Sequence, residues 1–381
     1  MRYLFILAGI GRRMKKRTLL FIAVFLAVTF CFAIKLLAFK GVVPWNIGYN
    51  DVMPWYEKAS APGIPYIDKP VEYPVIIGMA MYVFSRFGQG AYFFLHYLLY
   101  LALAFVSTHY LWKLAERRGT GKQQLFLFWA LAPSMLWFSF FNWDLIAVTF
   151  TILALYFFEE RRDILATIFL SLGFATKMYP ALFLLPYLLQ RRFKDWIKLG
   201  CVFGATFLVV NGPFMLKNFP YWAYIYFFHG AREPNPDSVW AVFSQWLGLS
   251  TGFINVATAV LFVCFYLYIC WNRRKEDPLN TNLLVLLLFL LLNKVFSPQF
   301  VLWLLPFFAI LGAKTKIWYA MEVSNLLVLF TTLIFLFEKI ESALAWSGLF
   351  VVLRHLGLIL LFYYAYQKNE ATPSLVPSES G

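Results

Sequence analysis

The sequence predicts an all-α polytopic membrane protein, with about 12 transmembrane helices and one re-entrant or juxtamembrane helix. Hydrophobic residues make up 61% of the 381 residues and charged residues only 14%, whereas soluble domains are about 45–50% apolar. Charge-free apolar runs recur along the chain, among them Leu19 to Ile34, Leu283 to Leu292 and Leu326 to Phe337. Regular apolar/polar alternation is absent, which argues against a membrane β-barrel.

Predicted spans lie at residues 18–39, 91–112, 123–140, 144–158, 163–176, 180–190, 195–214, 252–271, 279–293, 298–312, 315–337 and 343–366. With a cytoplasmic N-terminus, 22 of the 33 Lys and Arg residues fall in cytoplasmic segments, as the positive-inside rule requires. The net charge of +14 therefore indicates loops that face anionic lipid, and nucleic acid is not a predicted partner. The stretch from Pro74 to Phe87 is predicted as the re-entrant or juxtamembrane helix, because a full crossing would place Arg117 and Arg118 outside.

Residues 1–366 are predicted to form a single membrane-embedded domain, and residues 367–381 a disordered cytoplasmic tail rich in Ser and Pro. The protein is predicted to lie in the cell membrane, with both termini in the cytoplasm. Two long segments then lie outside, the first outer segment (residues 40–90) and the second outer segment (residues 215–251). The functional site is therefore predicted on the extracytoplasmic side. No internal repeat is evident, which weakens a transporter interpretation. No His/Cys ligand spacing occurs, so no metal site and no cofactor is predicted, while metal dependence stays open.

The first outer segment concentrates carboxylates among Pro and Tyr residues. Asp51 stands where a helix begins, so it either caps that helix or accepts a proton from an incoming hydroxyl at the mouth of a cavity. Asp68 and Glu72 either bind sugar hydroxyls or pair with Lys69 and Lys58. The residue types alone leave both alternatives open at each position.

A second pair of polar residues, Asn142 and Asp144, occupies a very short turn between two predicted spans. Both side chains must therefore lie at the outer membrane boundary and face the first outer segment. They either contact an acceptor or donor sugar, or cap the helix that begins near Leu145.

Basic residues stand at the outer ends of spans, where the positive-inside rule gives no reason for them. Lys177 and Lys294 either bind the phosphate of an anionic lipid or extend towards the headgroups. Tyr179 and Gln299 follow them and can add hydrogen bonds to such a ligand. Arg232, in the second outer segment, either engages a phosphate or carboxylate at two points or belongs to a plain solvated connection.

Several short polar motifs follow one another along the chain. They are Tyr49-Asn50-Asp51, Pro65-Tyr66-Ile67-Asp68, Glu72-Tyr73-Pro74, Phe141-Asn142-Trp143-Asp144, Ala175-Thr176-Lys177-Met178-Tyr179-Pro180 and Asn293-Lys294-Val295-Phe296-Ser297-Pro298-Gln299. In these motifs and their order, the chain resembles the polyprenyl-phosphate-mannose-dependent α-mannosyltransferases of GT-C architecture over about residues 18 to 312. One departure is Val75, where many relatives have a second Pro after the Tyr-Pro pair.

The resemblance implies an inverting glycosyltransferase that moves a sugar, mannose in that family, from a polyprenyl-phosphate donor to a glycan or glycolipid acceptor. It implies that Asp51 is the general base. Asp144, from its position in the short turn, is the fallback candidate for that role. The partners would be the lipid donor, the acceptor and membrane lipids. Glucose, arabinose or another lipid-carried sugar stays possible, because nothing in these motifs reads a hydroxyl configuration. The alternative function is a membrane transporter or flippase of lipid-linked sugars.

Overall fold

The computed structural model describes residues 2–368, with side chains from Lys15 onward. Within this range every named element is a helix, which confirms the predicted all-α class. A helix satisfies its backbone hydrogen bonds internally, as a chain in lipid requires. The α-helices are α1 (Arg2–Phe39), α2 (Trp45–Gly48), α3 (Trp55–Ser60), α4 (Val75–Ser85), α5 (Gln89–Arg117), α6 (Lys122–Leu125), α7 (Pro133–Phe138), α8 (Asp144–Glu159), α9 (Asp163–Phe174), α10 (Leu184–Leu189), α11 (Phe193–Lys217), α12 (Phe219–Ala231), α13 (Val239–Leu247), α14 (Thr251–Asn272), α15 (Pro278–Leu292), α16 (Leu305–Leu311), α17 (Thr315–Glu338) and α18 (Glu341–Lys368).

Six of the described helices, α1, α5, α11, α14, α17 and α18, are long and apolar enough to cross a membrane. Each coincides with a predicted span. Their candidate spans contain 22 to 29 residues, and a helix of 22 residues is about 33 Å long, enough for a hydrocarbon core of roughly 30 Å. The polytopic membrane class is thus confirmed.

The other six predicted spans are helical but shorter or interrupted. A π-helical turn, Phe126–Ala130, separates α6 from α7, and 3-10 segments at Tyr179–Phe183 and Pro298–Leu304 precede α10 and α16. Pro180 and Pro298 stand in the first two positions of those segments, where a residue without an N–H group is tolerated. Helices α8 and α15 are buried along most of their length. Their apolar sequences therefore face neighbouring helices as much as lipid.

The first outer segment contains the short helices α2, α3 and α4. Helix α4 has 11 residues and is about 16 Å long, too short to cross the membrane. This length fits the predicted re-entrant or juxtamembrane helix. The second outer segment contains α12 and α13, whose first turns are capped by Asn218 and Ser238.

The proline-rich stretch before α4 is fixed by a buried tyrosine. Tyr66 is fully buried, and its hydroxyl lies 2.6 Å from the carbonyl oxygen of Tyr73 and 2.9 Å from that of Pro74. Its ring packs against Gly78, where an added Cβ would lie 1.9 Å from the Tyr66 hydroxyl. The stretch is thereby held against α4, at the place where the chain turns towards Tyr73.

The C-terminal helix α18 continues to Lys368. It therefore includes the first two residues of the predicted tail, 367–381. The other residues of that predicted tail, 369–381, lie outside the described part of the chain.

Candidate active site

A cavity of about 660 Å³ opens between the first outer segment, the ends of α9 and α15, and the segment between α12 and α13. Most of the predicted site residues line it, although they come from five separate parts of the sequence. The lining includes Asp51, Glu72, Asn142, Lys177, Tyr179, Arg232, Lys294 and Gln299. Asp68 and Asp144 are not part of the lining.

Asp51 is held with its carboxylate in the cavity. Its backbone N–H donates to the carbonyl oxygen of Phe141 (2.8 Å). Oδ1 accepts a hydrogen bond from the Tyr49 hydroxyl (2.8 Å), and Oδ2 accepts one from the Asn142 amide (2.6 Å). Both oxygens keep further lone pairs for an incoming hydroxyl.

The capping alternative for Asp51 does not match the geometry. Asn50, one residue earlier, accepts the backbone N–H of Met53 (2.9 Å) and so closes the turn before α3. Helix α3 itself begins at Trp55. The Asp51 carboxylate is therefore not used in a cap and is available at the cavity surface.

The protonation of Asp51 is set by opposing effects. Burial raises the pKa of the Asp51 carboxyl above its usual range, and the nearby Asp144 carboxylate raises it further. Hydrogen bonds from Tyr49 and Asn142, together with the positive charge of Lys177, oppose this rise because they stabilise the anion. A carboxylate whose pKa is raised accepts a proton more readily once it is ionised, which suits a general base.

Asn142 connects Asp51 to a cation. Its amide nitrogen donates to Asp51, while its amide oxygen accepts the Lys177 ammonium (3.2 Å) and the backbone N–H of Trp143 (2.6 Å). The two donors to the amide oxygen fix which way the amide group points. Asn142 therefore orients the Asp51 carboxylate, and its side chain does not cap α8.

Asp144 lies behind the cavity wall. It is fully buried, and its Oδ1 accepts the indole N–H of Trp303 (2.9 Å) and lies 3.4 Å from the Lys177 ammonium. The expected sugar contact and the fallback base role both require an exposed carboxylate, which this position does not provide. Asp144 instead acts as the counter-ion of Lys177.

Tyr179 belongs to an aromatic wall. Its ring stacks on Trp303 with centroids 4.3 Å apart, and Trp303 stacks on Phe300 at 4.1 Å. The Tyr179 hydroxyl accepts a hydrogen bond from Thr151 (3.0 Å), so it is already engaged within the protein. Tyr179 therefore lies in the cavity wall as predicted, but it presents its ring there and not a free hydroxyl for a hydrogen bond to a ligand. Gln299 is buried and also lines this region.

The two remaining acids of the first outer segment differ in position. Glu72 lines the cavity, and its carboxylate lies 3.6 Å from the largely exposed ammonium of Lys58. Asp68 is exposed and accepts the backbone N–H of Ile64 (2.7 Å). Lys69 donates to two backbone carbonyls and does not pair with Asp68. The structure therefore places Asp68 in a local turn, away from the predicted sugar site.

Comparisons with known proteins bear on this site. The sequence model of glycosyltransferase family 87 matches residues 72–298. The chain belongs to this glycosyltransferase family. No curated protein matches the sequence significantly. Among solved structures, the chain is similar to ArnT from Cupriavidus metallidurans, crystallised with bound undecaprenyl phosphate, with 12% identity over 94% of this chain and 78% of that chain and a TM-score of 0.46.

Membership of family 87 confirms the predicted enzyme class, a glycosyltransferase, and leaves the sugar unassigned. The matched residues include Asn142, Lys177 and Lys294, while Asp51 precedes them. Within residues 15–368, no three His, Cys, Asp or Glu side chains are grouped so that they could hold a metal ion.

The cavity also contains residues that the sequence analysis did not select. Tyr49, whose hydroxyl donates to the Asp51 carboxylate, stands two positions before Asp51 in the Tyr49-Asn50-Asp51 motif. His229 lines the cavity beside three cations. Burial and the positive charges of Arg232, Lys177 and Lys294 lower its pKa to about 4, so its ring is neutral at pH 7. No motif indicated this environment of His229, because two of the three cations, Lys177 and Lys294, are distant from it in sequence.

Proposed function

We propose that this family 87 enzyme transfers a sugar from a polyprenyl-phosphate donor to a glycan or glycolipid acceptor, with inversion and with Asp51 as the general base. The sugar is mannose by resemblance. The observation that carries the proposal is that one cavity contains both the Asp51 carboxylate and the cations Lys177, Arg232 and Lys294. A base for the acceptor and a binding site for a phosphate are the two requirements of this reaction.

The reaction follows from the positions of these groups. Asp51 takes the proton of an acceptor hydroxyl, and the hydroxyl oxygen forms a bond to the anomeric carbon of the donor sugar. The bond between that carbon and the phosphate oxygen breaks, and its electron pair leaves with the phosphate. The products are a glycosidic bond of inverted configuration and a polyprenyl phosphate. Positive charge around the cavity stabilises the leaving phosphate.

The apolar part of the cavity fits the lipid portion of the donor. Helix α17 contributes Leu329, Leu333, Leu336 and Phe337 to the lining, next to the aromatic wall. These side chains are suited to contact a prenyl chain, while the phosphate stays beside the basic groups.

The proposed location is the extracytoplasmic side of the cell membrane, with both termini in the cytoplasm. Ion pairs at the helix ends opposite the cavity support this location. Arg118, after α5, contacts Glu159 at the end of α8 and Asp277 before α15 (2.7 Å). Arg191 contacts Asp163 at the start of α9 (2.7 Å). The segments predicted to be cytoplasmic thus meet on one face, and the cavity lies at the other ends of α8, α9 and α15.

Replacing Asp51 by Asn tests the proposal. We expect Asp51→Asn to lower turnover by about 10²–10⁴-fold, because a positioned general base contributes that much, while the protein still folds. The assay uses purified enzyme with a panel of polyprenyl-phosphate sugars. The matched control is Asp195→Asn, because Asp195 lies in the first turn of α11 and does not line the cavity. Substantial residual turnover would contradict the role of Asp51. Transport of a sugar lipid across vesicles without a new glycosidic bond would contradict the enzyme proposal and favour the transporter.

A further inference from the structure

The basic groups around the cavity differ in what they already bind. The Lys294 ammonium donates to the backbone carbonyl oxygens of Gly230 (3.0 Å) and Arg232 (2.6 Å). Lys177 faces Asn142 and the buried Asp144. The cations are therefore not equivalent candidates for one phosphate.

The two carbonyls that Lys294 binds belong to the junction where α12 ends. From Arg232 the backbone is extended, and helical structure begins again only at α13. A segment without helical hydrogen bonds needs other partners to keep one conformation. The Lys294 side chain supplies two of them at the point where the segment starts.

Further hydrogen bonds fix the same segment to the residues after α15. The backbone N–H of Asn235 donates to the carbonyl oxygen of Lys294 (3.0 Å), and the Asn235 amide donates to the Ser297 hydroxyl (3.0 Å). The Trp240 indole donates to the carbonyl oxygen of Leu292 (2.8 Å). Lys294 therefore holds this segment through both its side-chain ammonium and its main-chain carbonyl.

Arg232 is placed by this arrangement and is free to bind a ligand. Its backbone is held by Lys294, and its side chain lines the cavity. Its guanidinium group makes no hydrogen bond or ion pair within residues 15–368, although the buried Asp237 carboxyl interacts with it electrostatically. Burial and the nearby Arg232 charge lower the pKa of Lys294, so an anion between these side chains would relieve a repulsion. A planar guanidinium can hold a phosphate through two parallel hydrogen bonds.

We propose that Lys294 is a positioning residue that holds residues 230–238, and that Arg232 is thereby presented as the phosphate-binding cation of the cavity. The assignment of the anion as a lipid phosphate rests on the function proposed above. For Lys294 to bind the phosphate fully itself, its ammonium would have to release the Gly230 and Arg232 carbonyls, and the segment would lose its attachment.

Hydrogen exchange and ligand binding together test this division of roles. Lys294→Met removes the donors and the charge, Lys294→Gln keeps two N–H donors without the charge, and Arg232→Gln removes the guanidinium. The purified full chain in detergent is examined by amide hydrogen exchange of residues 230–238. Affinity is measured with farnesyl phosphate, a short polyprenyl phosphate.

We expect Lys294→Met to speed exchange in residues 230–238 about tenfold, with helix α5 unchanged. Lys294→Gln should show exchange between that of Lys294→Met and the wild type. Arg232→Gln should leave exchange unchanged and weaken farnesyl phosphate binding about tenfold or more.

Two results would overturn the inference. Unchanged exchange in Lys294→Met, with binding weakened equally in Lys294→Met and Lys294→Gln, would make Lys294 a direct ligand. Undiminished binding by Arg232→Gln would remove Arg232 from the phosphate site. If the wild type itself does not bind farnesyl phosphate, the proposed lipid donor fails, while the exchange comparison still decides whether Lys294 positions the segment.

Discussion

Replacing Tyr49 by Phe tests how the protein sets the basicity of Asp51. The change removes one hydroxyl group, which donates to Asp51 Oδ1 at 2.8 Å. Burial and the adjacent Asp51 carboxylate raise the pKa of Tyr49, so its hydroxyl stays protonated and acts as a donor. The ring, which also contacts Trp45, Phe141 and Phe337, is retained in the variant.

The size of the effect follows from the hydrogen bond that is lost. A hydrogen bond to a charged group contributes about 1.5–3 kcal/mol, and one pKa unit corresponds to about 1.36 kcal/mol. The bond stabilises the anion and so lowers the pKa of Asp51. Its loss should therefore raise the pKa of Asp51 by about one to two units.

The assay is the pH profile of kcat/KM with the donor sugar that the panel identifies. Asp51 accepts a proton only when it is ionised, so activity falls as the pH drops through its pKa. In Tyr49→Phe the acidic limb of this profile should move to higher pH by the same amount, about one to two units. At higher pH, where Asp51 is ionised in both proteins, the rates should converge.

Tyr97→Phe is the matched control. The Tyr97 hydroxyl makes a hydrogen bond of similar length to Thr29 (2.9 Å), away from the cavity. We expect this variant to keep the wild-type profile. An unmoved acidic limb in Tyr49→Phe would refute the reasoning, and so would an equal shift in Tyr97→Phe.

Two further predictions concern the first outer segment. Gly78→Ala should lower the melting temperature of the detergent-solubilised protein, because the new Cβ would lie 1.9 Å from the Tyr66 hydroxyl; overpacking costs about 1–3 kcal/mol. Gly90→Ala has open space and is the control, so equal melting temperatures would contradict this. Glu72→Gln should change stability by less than about 1 kcal/mol, since its pair with Lys58 is solvent-exposed. A fall in turnover without a loss of stability would assign Glu72 to substrate, whereas unchanged turnover would leave it only the ion pair.

The contact between Asp51 and Asn142 illustrates what sequence reasoning could and could not predict. The two residues are 91 positions apart, yet both were expected at the outer membrane boundary. Topology alone gave that expectation, because both follow or precede predicted spans on the same side. Topology could not give the 2.6 Å hydrogen bond that joins them.

Asp144 illustrates the opposite outcome. It follows Asn142 by two positions, and the sequence assigned both to the same site. At the start of a helix, side chains two positions apart point in different directions. Asn142 therefore faces the cavity, whereas Asp144 turns towards the buried Trp303.

The sequence by itself determined the helical class, the segments that are candidate membrane spans, and the ends of those segments that carry polar residues. Composition and charge suffice for this, because each segment interacts separately with lipid or water. Only the tertiary structure decided which polar groups meet and what each one binds. Lys294 shows the reason: its partners are backbone carbonyls 62 and 64 positions away, and no side-chain pattern records where a carbonyl will lie.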